Sequence, residues 1–305
     1  MKILILGGSG MLGSECRELL SQWHEVIAPD RDTLDIVSWD QVIENLQAIS
    51  PDIVLNCAAF ADVDGCESNG FAVRKINVEG PRNLAQGAAR FGSKLIHISS
   101  DYVFDGQKTV PQPYFEDDIV SPISAYGKSK TESETAVREN SPNYIILRTG
   151  WLYSKAGSNF VKSIISATVK KSSKVLKVVD DQLGSPTWTY RLAQQIQALV
   201  DHGGMGTYHC TAEGFCSRFE WAAFIVQKLG LDIPVEPCST DEFPRAAKRP
   251  VNSILENRLL KKQGINVMKD WKEDLDEFLD KFGQELIREA SEAESRERRG
   301  EKSRT

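Results

Sequence analysis

Short apolar runs alternate along the first half of the chain with longer stretches in which apolar positions recur every three or four residues. The first run, Ile3 to Leu6, ends abruptly in glycine, after which Leu12, Cys16, Leu19 and Leu20 fall at helical spacing. This pattern predicts a strand, a tight turn and a helix. It then repeats, with Glu25 to Ala28 as a second strand, a helix from a Ser38 N-cap to about Ile49, a stop at Pro51, and Ile53 to Leu55 as a third strand. A stretch rich in Ala, Leu and Val from about Phe71 to Phe91 predicts a helix that Pro81 bends or interrupts, and Lys94 to Ile98 predicts a fourth strand. Strands and helices alternating at this spacing predict an α/β fold with a doubly wound parallel sheet and helices on both faces.

Beyond Trp151 the alternation becomes irregular. Asn159 to Val169 reads as a helix, Val175 to Val179 as a strand, Tyr190 to Val200 as a helix and Tyr208 to Cys210 as a short strand. Ser217 and Glu220 form a capping box ahead of Trp221, Phe224 and Ile225. The expected organisation is a cofactor domain over residues 1–150, completed by segments of 180–230, with a smaller lobe built mainly from 151–280. From Glu285 onward large apolar residues nearly vanish, so 285–305 reads as a solvated helix end or a disordered tail.

Chemistry concentrates at the ends of the predicted strands. Gly7, Gly10 and Gly13 give the spacing G-x-x-G-x-x-G, related to the dinucleotide fingerprint in which glycines let backbone approach a pyrophosphate. The phosphate then sits on the helix N-terminus, at Met11 and Leu12, where unpaired N–H groups favour an anion. The spacing alone also fits an ordinary tight turn, but its place directly after the first strand favours the Rossmann-type reading. Asp30 follows the second strand and is placed to accept hydrogen bonds from an adenosine ribose, which suits NAD. Arg31 beside it suits the extra phosphate of NADP, and both cofactors stay open on these residues. Ala58 and Ala59, after the third strand, leave room for a flat ring or ribose. Ser99 to Gly106 form a polar cluster at the end of the fourth strand, where an open α/β sheet places its ligand. If Ser124 caps a helix, Tyr126 and Lys130 share one helical face, where an ammonium can stabilise a phenolate and make the phenol a usable acid. Ser100 can hydrogen-bond the same reacting oxygen. The alternative is a packed Tyr126 and a solvated Lys130.

Of the 305 residues, 41% are hydrophobic and 26% charged, with a net charge of −6, a balance that gives no electrostatic footprint for nucleic acid or an anionic membrane. The first apolar run is too short for a signal peptide, and no segment reads as a membrane span. Six cysteines without a C-x-x-C pair read as buried thiols of a reducing cytoplasm. The four histidines are scattered and form no ligand set, so no metal is expected.

The glycine turn together with Ser100, Tyr126 and Lys130 resembles the extended short-chain dehydrogenases/reductases. Leu34-Asp35-Ile36, Asn56 to Ala59 with Val63, Asp64 and Glu67, Ser100 to Gly106, Tyr126-Gly127-Lys128 and Arg148 to Trp151 more narrowly resemble the dTDP-4-dehydrorhamnose reductase family. The resemblance continues through Asn159-Phe160, Asp181 to Thr187 and Arg249 to Ser253, to about Leu279. It implies NADPH-dependent reduction, with NADH also open, of the 4-keto group of a dTDP-linked deoxysugar by a monomer or homodimer. Tyr126 would be the proton donor, with Lys130 and Ser100 as its partners; Asp35 and Ile36 would join the cofactor site. Asp101, Tyr102, Val63, Trp151, Gln182 and Arg249 would line the substrate, although a large aromatic such as Trp151 can equally be core. Arg245 and Arg249 offer charge for a diphosphate, although a lone arginine also serves as a surface ion pair. Two positions depart from the family. Phe60 and Ala61 replace a common His-Thr, and Tyr190 stands where some members carry a magnesium-binding carboxylate at a dimer interface. The same motifs leave two alternatives, a nucleotide-sugar epimerase that retains NAD and a non-catalytic, dinucleotide-binding regulatory subunit of methionine adenosyltransferase.

Overall fold

The computed structural model describes residues 1–170 and 174–298. The chain opens with β1 (Lys2–Leu6), α1 (Met11–Leu20), β2 (Glu25–Ile27), α2 (Trp39–Ile49) and β3 (Ile53–Asn56). Two short helices follow, α3 (Gly65–Ser68) and α4 (Gly70–Arg74), then a π-helical turn (Lys75–Glu79) and α5 (Gly80–Phe91). Next come β4 (Lys94–Ser100), α6 (Ala125–Asn140), β5 (Tyr144–Thr149), β6 (Leu152–Tyr153), α7 (Phe160–Val169), β7 (Leu176–Val179), β8 (Leu183–Gly184) and β9 (Thr187–Trp188). The chain continues with α8 (Thr189–His202), β10 (Gly206–His209), β11 (Cys216–Ser217), α9 (Arg218–Lys228), β12 (Val235–Cys238), α10 (Arg258–Lys262) and α11 (Trp271–Arg298).

Six strands form one sheet in the order β2-β1-β3-β4-β5-β10, every neighbouring pair parallel. The pleat explains why these strands are apolar throughout. Ile3 and Ile5 point to the face covered by α1 and α8, where they meet Leu12, Cys16, Leu192 and Ile196, while Leu4 and Leu6 point to the face of α2 and α5. Strand order reverses between β2 on one side of β1 and β3 on the other. The cleft at the carboxyl ends of these strands is the ligand position of a doubly wound sheet.

The stretch around Pro81 is interrupted, though not broken, just before the proline. Its helical path runs on from α4 to α5 through the π-helical turn, in which Gly80 N donates to the Lys75 carbonyl. Pro81 has no N–H to give, and it stands at the start of α5, where an unpaired position costs nothing. The turn also directs Asn77 inward. Its amide accepts from Phe60 N (2.7 Å) and donates to the Phe60 carbonyl (3.1 Å) and to Ser129 Oγ (3.0 Å). Asn77 thereby ties the loop after β3 to α6.

A second apolar cluster lies under α7, α9 and α11, centred on Tyr153, Trp188, Trp221 and Phe278. In the polar stretch from Glu285, residues 285–298 continue α11, with Leu286 buried and Lys155 pairing with Glu285 at 3.0 Å. Residues 299–305, the rest of that stretch, lie outside the described residues. The six cysteines are free, and five are buried. Cys57 is only half-buried, because the chain turns there from sheet into cleft.

Candidate active site

The first cleft, about 310 Å³, opens at the carboxyl ends of β1, β2 and β3. Gly7, Gly8 and Gly10 form one wall, Pro29, Asp30 and Arg31 the far end, and Asp35, Ile36, Ala58 and Ala59 the floor. Gly7 has φ +74, and a Cβ there would lie 2.8 Å from Ala58 N; a Cβ on Gly13 would lie 2.0 Å from the Gly7 carbonyl oxygen. Only glycine permits this close approach of turn, helix and neighbouring strand. Met11 and Leu12 contribute backbone alone. Leu12 is buried in the core, and the Met11 side chain packs on Gly157. Their N–H groups belong to the first turn of α1, which has no side-chain cap. Asp30 and Arg31 are both exposed, and Arg31 pairs with Asp35 at 3.5 Å. The glycine cradle, the open helix N-terminus and the flat alanine floor fit a dinucleotide.

At the end of β4, Ser100 Oγ donates to Asp101 Oδ1 (2.8 Å) and accepts from Tyr102 N (3.2 Å). The helix α6 begins as the sequence implies, with Ser124 Oγ accepting from Gly127 N at 3.1 Å. Tyr126 lies half-buried in the first turn, its ring edge-on to Tyr102 at 5.7 Å. Desolvation pushes its phenol well above the ordinary tyrosine range, the nearby Ser100 hydroxyl pulls it down, and the Asp101 charge pushes it up again. Lys130 lies one helical turn on. Its buried ammonium donates to the Ile98 carbonyl at 2.7 Å, and burial pushes its pKa down to about 8, against the opposing pull of Glu134. Beneath it Glu134 is fully buried, accepting from Ser99 Oγ (2.6 Å), Arg148 Nε (2.9 Å) and Arg148 Nη2 (2.8 Å), a network that clamps α6 to β4 and β5. Asp101 is buried with Oδ2 unpartnered among the described residues, and burial raises its pKa to about 6.

A second cleft of about 480 Å³ lies beside this centre, between α7, β7 and the 243–249 segment. Gln182 and Arg249 line it. Gln182 donates to Thr240 Oγ1 at 3.0 Å, and Arg249 is held by Asp64 at 2.9 Å and by the Ala247 carbonyl. Asp101, Tyr102 and Trp151 lie near Arg218 at the catalytic end of this cleft. Val63 is half-buried and stands outside both cleft linings. Trp151 combines both roles considered for it. It packs on Trp221 at 5.7 Å, yet it is half-buried, adopts φ +51 and donates its indole N–H to Ser253 Oγ at 3.1 Å. A non-glycine residue held at positive φ points to a positional demand on the side chain. Tyr190 packs on Trp188 at 5.0 Å; among the described residues no cluster of three His, Cys, Asp or Glu side chains has a metal-binding arrangement. No described helix is long and apolar enough to cross a membrane. Arg218 and Asn77 are the site residues that sequence reasoning missed. The polar Ser217–Glu220 box marked the position next to Arg218, and nothing local marked Asn77.

Comparison with known proteins places these features in a wider set. Residues 1–284 match the family described as the RmlD substrate binding domain. The chain is 38% identical over 279 residues to a spore coat polysaccharide biosynthesis protein, SpsK, of Bacillus subtilis, covering 91% of this chain and 96% of that protein. It is similar to the crystal structure of a dTDP-4-dehydrorhamnose reductase from Clostridium acetobutylicum, with 43% identity, a TM-score of 0.89, and coverage of 93% of this chain and 100% of the other. It is likewise similar to a dTDP-4-dehydrorhamnose reductase from Bacillus anthracis solved in complex with NADP, with 38% identity, a TM-score of 0.88, and coverage of 92% and 99%.

Proposed function

Because the chain belongs to the RmlD substrate-binding-domain family, we propose that it reduces the 4-keto group of dTDP-4-dehydro-L-rhamnose to give dTDP-L-rhamnose, with NADPH as reductant. The observation that carries this reading is the meeting, between the two clefts, of Ser100 at the end of β4 with Tyr126 and Lys130 at the start of α6, where Lys130 holds the Ile98 carbonyl at 2.7 Å and the Tyr126 ring stands edge-on to Tyr102 at 5.7 Å. The first cleft would hold NADPH through the Gly7–Gly13 turn, Asp30, Arg31, Asp35, Ile36, Ala58 and Ala59. Bound there, the cofactor supplies the hydride. Tyr126, kept protonated by desolvation, gives its proton to the developing alkoxide, and Ser100 donates to the same oxygen. Lys130 contributes positive charge from beneath and an N–H for a ribose hydroxyl. Asp101, Tyr102 and Trp151 border the sugar. Residues 1–150 with segments of 180–230 serve the cofactor, and 151–280 mainly the substrate.

The epimerase and regulatory-subunit alternatives are not favoured by a family match over nearly the whole chain together with reductase relatives at this identity. Six unpaired cysteines suit a reducing cytoplasm. The assignment is tested by following loss of NADPH absorbance with dTDP-4-dehydro-L-rhamnose and identifying dTDP-L-rhamnose as product. Dinucleotide binding without oxidation would reject it.

The pH profile is a further expected result. The reaction needs Lys130 charged, and its pKa lies near 8, below the ordinary lysine value. kcat/KM is therefore expected to be flat up to about 8 and to fall above it by about tenfold per pH unit. A profile level to pH values well above the folded pKa would remove the ammonium from the mechanism.

A further inference from the structure

Arg218 is the first residue of α9, so the Ser217–Glu220 capping box fixes its backbone. Its guanidinium lies over an aromatic floor, 3.5 Å from the centre of the Trp151 ring, 5.3 Å from Phe160 and 5.6 Å from Trp221. It faces the second cleft. Among the described residues it has no salt-bridge partner and no side-chain hydrogen bond; Asp101 and Tyr102 act on it only through space. Of the other cations on this cleft, Arg249 is already engaged by Asp64 and Lys177 by Glu242 at 2.9 Å, while Arg245 stands exposed with no aromatic face among the described residues to fix it. A guanidinium stacked on its face keeps the N–H groups along its edge free, and that planar fork matches the paired oxygens of a phosphate. One wall of the cleft is apolar along Ile164, Leu176, Val178 and Phe243, a surface suited to a flat base.

We infer that Arg218, and not Arg249, is the diphosphate anchor of the substrate site. Its stacked guanidinium holds the diphosphate of a nucleoside-diphosphate sugar edge-on, with the sugar directed toward Trp151 and the base toward the apolar wall. This inference rests on the sugar-nucleotide reading above, and it assigns the charge to a residue outside the family motifs quoted for this chain.

The test is calorimetric titration of dTDP into the NADPH-loaded protein and into its Arg218→Gln and Arg218→Lys variants. Arg218→Gln is expected to weaken dTDP binding roughly ten- to hundredfold, the worth of a charged hydrogen-bonding pair. Arg218→Lys should recover only part of it, and NADPH affinity should be unchanged in both. Wild-type dTDP affinity in both variants would overturn the role of Arg218 and leave the sugar-nucleotide reading standing. Failure of the wild-type protein to bind dTDP while it binds NADPH would overturn that reading and this inference with it. If Arg218→Gln does not fold, the lysine variant alone decides: full affinity overturns the planar-fork argument, and reduced affinity supports it.

Discussion

A Tyr126→Phe variant is expected to lose roughly 10²–10⁴-fold in kcat while binding NADPH as the parent protein does. The substitution removes one hydroxyl and leaves the ring, so the edge-on contact with Tyr102 and the helix start at Ser124 are retained. What disappears is the phenolic proton beside Ser100. Ser100→Ala should cost less, because it removes a donor that polarises the carbonyl and leaves the acid itself in place. Steady-state rates with matched cofactor titrations check both expectations. A Tyr126→Phe enzyme with parental kcat would place the proton donor elsewhere, and the nearest remaining candidate is Asp101, a buried carboxyl with its pKa raised to about 6.

The second large effect is expected at Gly13, which faces the turn rather than the cofactor. An alanine Cβ there would sit 2.0 Å from the Gly7 carbonyl oxygen and 2.9 Å from Gly8 Cα, both backbone atoms with no rotamer to yield. The helix α1 must then move off the turn, at a cost of about 1–3 kcal/mol or more from overpacking. The N–H groups of its first turn move with it. Gly13→Ala is therefore expected to lower the melting temperature and to abolish measurable NADPH binding together. Thermal unfolding and fluorescence titration read the two effects separately. A variant with unchanged affinity would show that the glycine spacing serves the turn and not the pyrophosphate.

Much of the sheet was legible because its code is local. Strands buried on both faces must be apolar without alternation, as Ile3 to Leu6 are, and the helix starts at Ser38, Ser124 and Ser217 carry their caps within three residues. The glycine turn and the Ser100, Tyr126 and Lys130 positions were legible for the same reason, since each sits at the end of a strand or the start of a helix. Long-range pairings were not. Arg249 and Asp64 are 185 residues apart, and no pattern near either shows that one neutralises the other. The spacing that puts Lys130 on the face of Tyr126 is local, but the Ile98 carbonyl that holds one of its three N–H groups lies 32 residues away. The π-helical turn escaped notice because a proline in a helical pattern signals interruption equally well whether the chain bends or inserts a residue. Nothing local to Arg218 sets it apart; only the folded chain brings Trp151, Phe160 and Trp221 under it.

The edge of the sheet has a consequence for synthesis. β10 pairs with β5, and α8 covers the face formed by Leu12, Cys16 and Leu19, yet both elements come from the region after Thr189. While the ribosome is still making that region, the emerging first half exposes one unpaired strand edge and one bare apolar face. Such a nascent chain is a substrate for chaperones and prone to aggregate. A fragment ending near residue 150 would carry the complete cofactor turn but remain insoluble, so the protein matures only when most of its length has left the ribosome.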